Sequence, residues 1–273
     1  MKKFEGMLIC TDLDGTLLRE DKSISKENSE AIEYFKNEGG FFTFITGRMP
    51  NTSVGMYEAV KPNAPIGCIN GGGIYDFEKR EFCWVAELPR EALDLVEYVD
   101  KELPWIGIQV NTSKAIYFNK YNRAMEKFRK ITGLPDIRCH YREIGEKLAK
   151  VVFTEDDEAR LNGLMEALRK HPKSDKFDYI RSQSDIYEIL PKGISKGTAL
   201  EKLTEILGLD INKTIAVGDY NNDISMLRKA KVGVAVANAL DEVKAAADYV
   251  TVSNQEHAIA QIIRDIESGK IKI

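Results

Sequence analysis

The stretch LICTDLDGTLL, residues 8–18, places two acidic side chains directly after an apolar run and just before a glycine. The run GMLIC, residues 6–10, predicts a buried strand, so Asp12 and Asp14 stand where that strand ends. Two like charges this close repel each other unless a shared proton or a cation offsets them. Because the pattern DxD alone is common in loops and helix caps, its meaning depends on partners elsewhere in the chain.

The pattern around this stretch predicts an α/β fold. Ser25 can cap a helix that ends near Gly39, and the apolar runs FFTFI (41–45) and PIGCI (65–69) predict two further strands. From about residue 74 the pattern changes to shorter strands, hairpin turns and helices, which is typical of a small α+β domain with an antiparallel sheet. Near Pro191 the first pattern returns, and Ser195 can cap a further helix. We therefore expect a parallel-sheet core interrupted by an inserted domain.

Composition narrows the classes of function. The 273 residues carry a net charge of -4, with 43% hydrophobic and 30% charged residues, which is typical of a globular protein. An acidic balance argues against nucleic acid as a partner. The four cysteines lack CxxC spacing, and no run of eighteen apolar residues occurs. We therefore expect a cytoplasmic protein without a membrane partner, and the sequence does not determine its oligomeric state.

Four polar clusters follow or precede the predicted elements. They are DLDGT (12–16), TGR (46–48), KGISKGT (192–198) and GDYNND (218–223). In open α/β sheets, ligands bind at the carboxyl ends of the strands, where we expect these clusters to meet.

The side chains of these clusters suit a divalent cation and a phosphate. The carboxylates of Asp12, Asp14, Asp219 and Asp223 would repel one another without a shared proton or a cation. Hard oxygen ligands favour Mg²⁺. An ammonium group and a hydroxyl, which Lys196 and Thr46 supply, would then bind phosphate oxygens.

The ordered motifs DLDGTLL, ITGR, INGGG, ISKGTAL and VGDYNNDISML resemble those of the haloacid dehalogenase superfamily, and most closely its Cof-type phosphatases. The resemblance covers both core segments, and the insertion has the family's place and approximate length. It implies a Rossmann-like catalytic core in residues 1–80 and 188–273. Residues 81–187 would form an inserted α+β cap domain, which would close over the substrate.

The resemblance also implies a role for each site residue. Asp12 would be the nucleophile that forms an aspartyl-phosphate, and Asp14 the general acid and base. Mg²⁺ would be held by the Asp12 carboxylate, the backbone carbonyl of Asp14, and Asp219, with Asp223 in support. The residues implied to bind substrate are Thr46, Gly47, Arg48, Lys196 and Asn222.

The sequence therefore predicts a Mg²⁺-dependent phosphoric monoester hydrolase that acts on small phosphorylated metabolites, such as sugar phosphates or phosphorylated cofactors. Two alternatives remain open at this point. One is a phosphomutase of the phosphomannomutase type, and the other is a protein that binds a phosphorylated ligand without turnover. Asn70 is a weaker candidate for substrate binding. The sequence does not show which of Asn111, Thr112, Lys114 or Arg181 contacts substrate.

Overall fold

The computed structural model describes residues 2–273, which form two compact units. The first comprises the chain up to Trp84 together with Ser195–Ile273, and the second comprises Val85–Ile194.

The elements of the described residues are numbered in chain order. The strands are β1 (Leu8–Thr11), β2 (Phe41–Phe44), β3 (Ile66–Cys68), β4 (Gly73–Asp76), β5 (Glu81–Val85), β6 (Gly107–Thr112), β7 (Ile116–Lys120), β8 (Leu148–Thr154), β9 (Phe177–Gln183), β10 (Ile186–Pro191), β11 (Thr214–Gly218), β12 (Val232–Ala235) and β13 (Tyr249–Val250). The helices are α1 (Lys26–Asn37), α2 (Val54–Val60), α3 (Ala92–Glu102), α4 (Arg123–Thr132), α5 (Glu158–Lys170), α6 (Lys196–Leu207), α7 (Ile224–Lys229), α8 (Asp241–Ala246) and α9 (Ala258–Glu267).

The first unit is built on a parallel sheet with strand order β13-β12-β11-β1-β2. Strand β1 lies between β11 and β2, with Leu8 opposite both Thr214 and Phe41. Every residue of β1 and β11 is buried, as expected for parallel strands covered on both faces. This confirms the predicted α/β fold with a parallel-sheet core.

Two helix starts in this unit follow the sequence prediction. The Ser25 hydroxyl accepts a hydrogen bond from the Asn28 amide (3.2 Å) at the start of α1. At the start of α6, the Ser195 hydroxyl accepts from the Thr198 amide (3.4 Å), and the Thr198 hydroxyl accepts from the Ser195 amide (3.2 Å). This reciprocal capping fixes Lys196 as the first residue of α6.

The second unit is an α+β unit with an antiparallel sheet, as predicted for the insertion. Its strand order is β7-β6-β8-β10-β9. One face of the sheet packs against α3 and α5 to form a hydrophobic core that includes Val110, Val151, Ile189, Leu95 and Leu164.

The boundaries between the two units lie a few residues later in the chain than the expected 80/81 and 187/188, at 84/85 and 194/195. Strand β5 extends the sheet formed by β3 and β4, so the chain leaves the first unit at Trp84. Strand β10 pairs with β9 along its whole length and with β8 from Ile186 to Ile189, and the second unit continues to Ile194.

The INGGG loop, residues 69–73, has a constrained backbone. Ile69, Asn70 and Gly71 have φ angles of +58°, +51° and +99°, a region that is costly for a β-branched residue such as Ile69. The Ile69 amide donates to the Arg48 carbonyl (3.0 Å) and the Asn70 amide to the Thr46 carbonyl (3.1 Å). These bonds hold the loop against the TGR segment.

Gly71 is the glycine of this loop that lies closest to another segment of backbone. A Cβ atom added there would lie 1.8 Å from the Ser195 carbonyl oxygen. Gly72, by contrast, has a φ of -80°, which any residue adopts. The loop is therefore a tight contact to the start of α6 and not a flexible connector.

Replacing Gly71 by alanine tests this contact. Gly208→Ala is a matched control, because Gly208 has a φ of +65° but open space around its missing Cβ. We expect Gly208→Ala to lower the free energy of unfolding by about 1 kcal/mol, from backbone strain alone, and Gly71→Ala by at least about 3 kcal/mol. Urea unfolding measures both, and equal losses would contradict the close approach.

Candidate active site

The carboxyl ends of three strands position the first site residues. Asp12 follows β1, and its amide continues the ladder by donating to the Val217 carbonyl (2.8 Å). Asp219 follows β11, and Thr46 lies two residues after β2. Thus DLDGT, TGR and GDYNND lie at the same edge of the parallel sheet.

Lys196 is the buried cation of this edge. Its side chain is 1% exposed, and its Nζ donates to Oδ1 of Asp12 and to Oδ1 of Asp223, both at 2.5 Å. Burial alone would lower the pKa of Lys196, but the two carboxylates outweigh it and raise the pKa above its ordinary value. Lys196 is therefore a permanent positive charge that joins the start of α6 to the segments after β1 and β11.

Backbone amides and one hydroxyl orient the other carboxylates. Asp223 Oδ2 accepts from the amides of Asp219 (2.9 Å) and Tyr220 (3.0 Å). Asp219 Oδ1 accepts from the Thr16 hydroxyl (2.6 Å). The other Asp219 oxygen lies so near Gly15 that a Cβ there would approach it to 2.4 Å. The DGT and GDYNND motifs therefore fit directly against each other.

Three of the predicted metal ligands form one cluster. Carboxylate oxygens of Asp12, Asp219 and Asp223 lie within 4.8 Å of one another. One ammonium, that of Lys196, leaves two of the three negative charges without compensation. Burial, followed by the neighbouring Asp223, raises the pKa of Asp219 to about 6, and burial likewise raises the pKa of Asp12 well above its ordinary value. The donor set and its charge fit a divalent cation.

The Asp14 carboxylate has different partners. Its Oδ2 accepts from Arg48 Nη2 (2.7 Å) and Nε (3.2 Å), and its Oδ1 accepts from Lys22 Nζ (2.9 Å). Burial would raise the pKa of Asp14, but Arg48 and then Lys22 outweigh it and hold the pKa below its ordinary value. The structure thus gives Arg48, predicted as a substrate-binding residue, a carboxylate partner. Of Asp14, only the backbone carbonyl remains as a proposed metal ligand.

The remaining predicted residues gather around Asn70. The Thr46 hydroxyl accepts from the Arg48 amide (3.3 Å), and Asn222 Nδ2 donates to Asn70 Oδ1 (3.0 Å). A Cβ at Gly47 would lie 2.9 Å from the same Asn70 oxygen. Asn70 is fully buried. It therefore connects the TGR loop to the GDYNND loop.

Comparison with known proteins assigns the family. The model of the haloacid dehalogenase-like hydrolases matches residues 9–263. The chain belongs to this family. A 5-amino-6-(5-phospho-D-ribitylamino)uracil phosphatase of Bacillus subtilis is 32% identical over 94% of this chain and 94% of its own. A pyridoxal phosphate phosphatase of Escherichia coli is 29% identical over 94% of this chain and 97% of its own.

A solved structure of the family has the same fold. The haloacid dehalogenase-like hydrolase of Bacteroides thetaiotaomicron superposes with a TM-score of 0.81 at 29% identity, covering 95% of this chain and 99% of its own. The predicted family and enzyme class, a phosphoric monoester hydrolase, are confirmed. Within residues 2–273, no helix has the length and apolar character needed to cross a bilayer.

Two residues of this haloacid dehalogenase-like hydrolase that contact the site carboxylates, Thr16 and Lys22, were not among the site residues predicted from the sequence. Thr16 belongs to the DLDGT motif, and its position two residues after Asp14 was a usable signal. Lys22 carries no such signal, because one lysine in a charged loop resembles many others.

Cation binding should depend on pH through Asp219. Because a cation needs the ionised carboxylate and the pKa of Asp219 is raised to about 6, we expect stabilisation by a divalent cation, with Mg²⁺ as the probe, to grow between about pH 5 and about pH 7. Without a cation, Asp219 has the opposite effect on how the stability of the protein changes with pH. The folded state holds the proton more tightly than the unfolded chain, so this group lowers stability as pH rises from about 4 to about 6.

Thermal unfolding with and without Mg²⁺ measures this effect. Asp219→Asn should abolish the pH-dependent rise in Tm. Asp265→Asn is the control, because Asp265 is also buried but bonds to Tyr249, Gln261 and Lys270 instead. A rise that persists in Asp219→Asn would contradict the prediction that Asp219 is a metal ligand.

Proposed function

We propose that this chain hydrolyses small phosphorylated metabolites, sugar phosphates or phosphorylated cofactors, with Mg²⁺ and through an aspartyl-phosphate on Asp12. The observation that carries the proposal is the pairing of Asp12 with the permanent charge of Lys196, beside two further carboxylates. The chemistry belongs to the first unit, and the second unit is the inserted cap domain.

The first step forms the aspartyl-phosphate. A carboxylate oxygen of Asp12 attacks phosphorus, and the bond from phosphorus to the ester oxygen breaks. Lys196, already 2.5 Å from Asp12, offers its ammonium to the phosphoryl oxygens. When bound by Asp12, Asp219 and the Asp14 carbonyl, with Asp223 in support, Mg²⁺ supplies positive charge that offsets the negative charge of the phosphoryl group. Thr46, Gly47 and Asn222 would contribute further hydrogen bonds.

Asp14 acts as the general acid in the first step and as the general base in the second. It donates a proton to the departing ester oxygen, which leaves as an alcohol. It then removes a proton from a water molecule that attacks phosphorus, and the bond to Asp12 breaks to release inorganic phosphate. Because Arg48 and Lys22 favour the ionised form of Asp14, the proton donor must loosen at least one of these ion pairs before the first step.

The relatives support the class of substrate. The names of the two curated relatives specify phosphatases of a ribityl-uracil phosphate and of pyridoxal phosphate. Both compounds are small organic phosphate monoesters. We extend that class, and neither individual compound, to this chain.

A panel of phosphate monoesters tests the proposal. Wild-type protein with Mg²⁺ should release inorganic phosphate, and Asp12→Asn should reduce kcat at least about a thousandfold by removing the nucleophile. Asp265→Asn should retain kcat. Isomerisation of a hexose phosphate without phosphate release would replace the proposal by a mutase. Binding of phosphate esters by the wild type without turnover would replace it by a binding protein.

The ion pairs of Asp14 give a pH prediction. Lys22→Met removes one cation, so the pKa of Asp14 should rise and the alkaline limb of the kcat/KM profile should move to higher pH. Lys26→Met is the control, because Lys26 is also an exposed lysine but pairs with Glu30. An unchanged profile in Lys22→Met would contradict the role of Asp14 as the acid.

A further inference from the structure

The loop between β12 and α8, residues 236–240, lies at the active-site edge of the first unit. The Val236 amide donates to the Gly218 carbonyl (3.3 Å), and the Leu240 amide donates to the Asp219 carbonyl (3.1 Å). These two bonds hold the backbone at the end of β11. The position of the Asp219 carboxylate therefore depends on this segment, which we call the β12–α8 loop.

Asn238, in the middle of the β12–α8 loop, is bonded to two other segments of the chain. Its Nδ2 donates to the Gly15 carbonyl (2.8 Å), and its Oδ1 accepts from the Asn254 amide (3.0 Å). The orientation of the side-chain amide is determined, because one partner can only accept and the other can only donate. Asn254 in turn donates from Nδ2 to the Leu18 carbonyl (2.8 Å). Two asparagines, one after β12 and one after β13, thus hold the DLDGTLL segment at Gly15 and at Leu18.

Gly15 lies where the DLDGTLL segment packs against Asp219. A Cβ at Gly15 would approach one Asp219 oxygen to 2.4 Å, and the next residue, Thr16, donates its hydroxyl to the other oxygen (2.6 Å). The Asp14 carbonyl and the Gly15 nitrogen belong to one planar peptide group. A shift of the Gly15 backbone would therefore move two proposed ligand groups, the Asp14 carbonyl and the Asp219 carboxylate, relative to each other.

We propose that Asn238 is a positioning residue for the divalent cation. By bonding to the Gly15 carbonyl, it holds the DLDGTLL segment so that the Asp14 carbonyl and the Asp219 carboxylate can bind one ion together. The inference rests on the cation of the proposed function. It adds a residue outside the predicted motifs that determines how tightly the site binds that cation.

The geometry that Mg²⁺ requires makes its affinity sensitive to this bond. Mg²⁺ binds oxygen ligands in a nearly octahedral arrangement at about 2.0–2.1 Å, so a small displacement of one ligand weakens binding. Replacing a residue that holds metal ligands in position typically lowers the affinity for the metal about 10–100-fold. Net stability should change little, because Asn238 is exposed and water can replace its lost hydrogen bonds.

Calorimetric titration of the intact protein with Mg²⁺ tests the proposal without any substrate. The dissociation constant of Mg²⁺ should rise about tenfold or more in Asn238→Ala. Asn238→Gln keeps the donor and the acceptor on a longer side chain, so its dissociation constant should lie between those of the wild type and Asn238→Ala. In a phosphatase assay, saturating Mg²⁺ should return kcat of Asn238→Ala to within about twofold of the wild-type value, because the substitution removes no reacting group.

Asn63→Ala is the matched control. Asn63 is also an exposed asparagine of the first unit, and its side chain likewise accepts from a backbone amide, that of Phe42 (2.8 Å), and donates to a backbone carbonyl, that of Gly40 (3.0 Å). These bonds lie at the beginning of β2, at the edge of the parallel sheet opposite the carboxylates. Asn63→Ala should lower Tm about as much as Asn238→Ala does and leave the dissociation constant of Mg²⁺ unchanged.

The outcomes separate this inference from the proposed function. A dissociation constant in Asn238→Ala within about twofold of the wild-type value, or an equal rise in Asn63→Ala, would overturn the positioning role and leave the proposed cation in place. A wild type that binds no Mg²⁺ would refute both. Weaker Mg²⁺ binding in Asn238→Ala alone, together with a wild type that hydrolyses no phosphate ester, would support the positioning role and refute the proposed hydrolysis.

Discussion

The buried ammonium of Lys196 is the interaction on which the active-site edge of the first unit depends. It joins the start of α6 to Asp12 after β1 and to Asp223 after β11. Without it, two buried carboxylates would lose their counter-charge. Removing one partner of a buried ion pair destabilises a protein strongly, whereas replacing the whole pair by apolar residues often does not. Lys196 therefore contributes mainly by holding Asp12 and Asp223 in position, and less by adding net stability. The same ammonium that allows Asp12 and Asp223 to be buried together also stands beside the proposed nucleophile.

Close packing of carboxylates against backbone explains the glycines of the motifs. A Cβ at Gly15 would lie 2.4 Å from an Asp219 oxygen, and one at Gly218 would lie 2.4 Å from the Asp223 Cβ. Gly71 fits against the Ser195 carbonyl in the same way. Glycine is required at these positions because a side chain would clash with the neighbouring atoms. At Gly15 and Gly71 a positive φ also favours glycine. The motifs DGT, GDYNND and INGGG therefore encode contacts between segments that are distant in sequence.

The sequence predicted those features that local pattern determines. Hydrophobic periodicity predicts the strand ends and the α+β character of the insertion. Residues that typically begin helices predict the caps at Ser25 and Ser195. Contacts between side chains that are distant in sequence could not be predicted from local patterns. The pairing of Lys22 with Asp14 depends on how a charged loop returns, and the contact of Asn70 with Asn222 depends on a backbone that places Ile69 and Asn70 at positive φ. The run IGIQVNT alternates apolar and polar residues, which normally indicates a strand with one face in water, whereas the structure buries both faces.

The two units differ in how completely their buried polar side chains are hydrogen-bonded. In the first unit, Lys196, Thr16 and backbone amides each donate to a buried carboxylate, so a substitution at Lys196 or Thr16 leaves at least one carboxylate oxygen without its donor. In the second unit, Gln109 Oε1 and Asn111 Nδ2 are buried without a hydrogen-bond partner among residues 2–273, and Val110, which lies between these two residues on β6, packs in the hydrophobic core. Because side chains alternate between faces, a residue such as Gln109 can change without disturbing that core. The carboxylate cluster around Lys196 is thus constrained as a set, while a substitution at Gln109 changes mainly its hydrogen bond to Asn111.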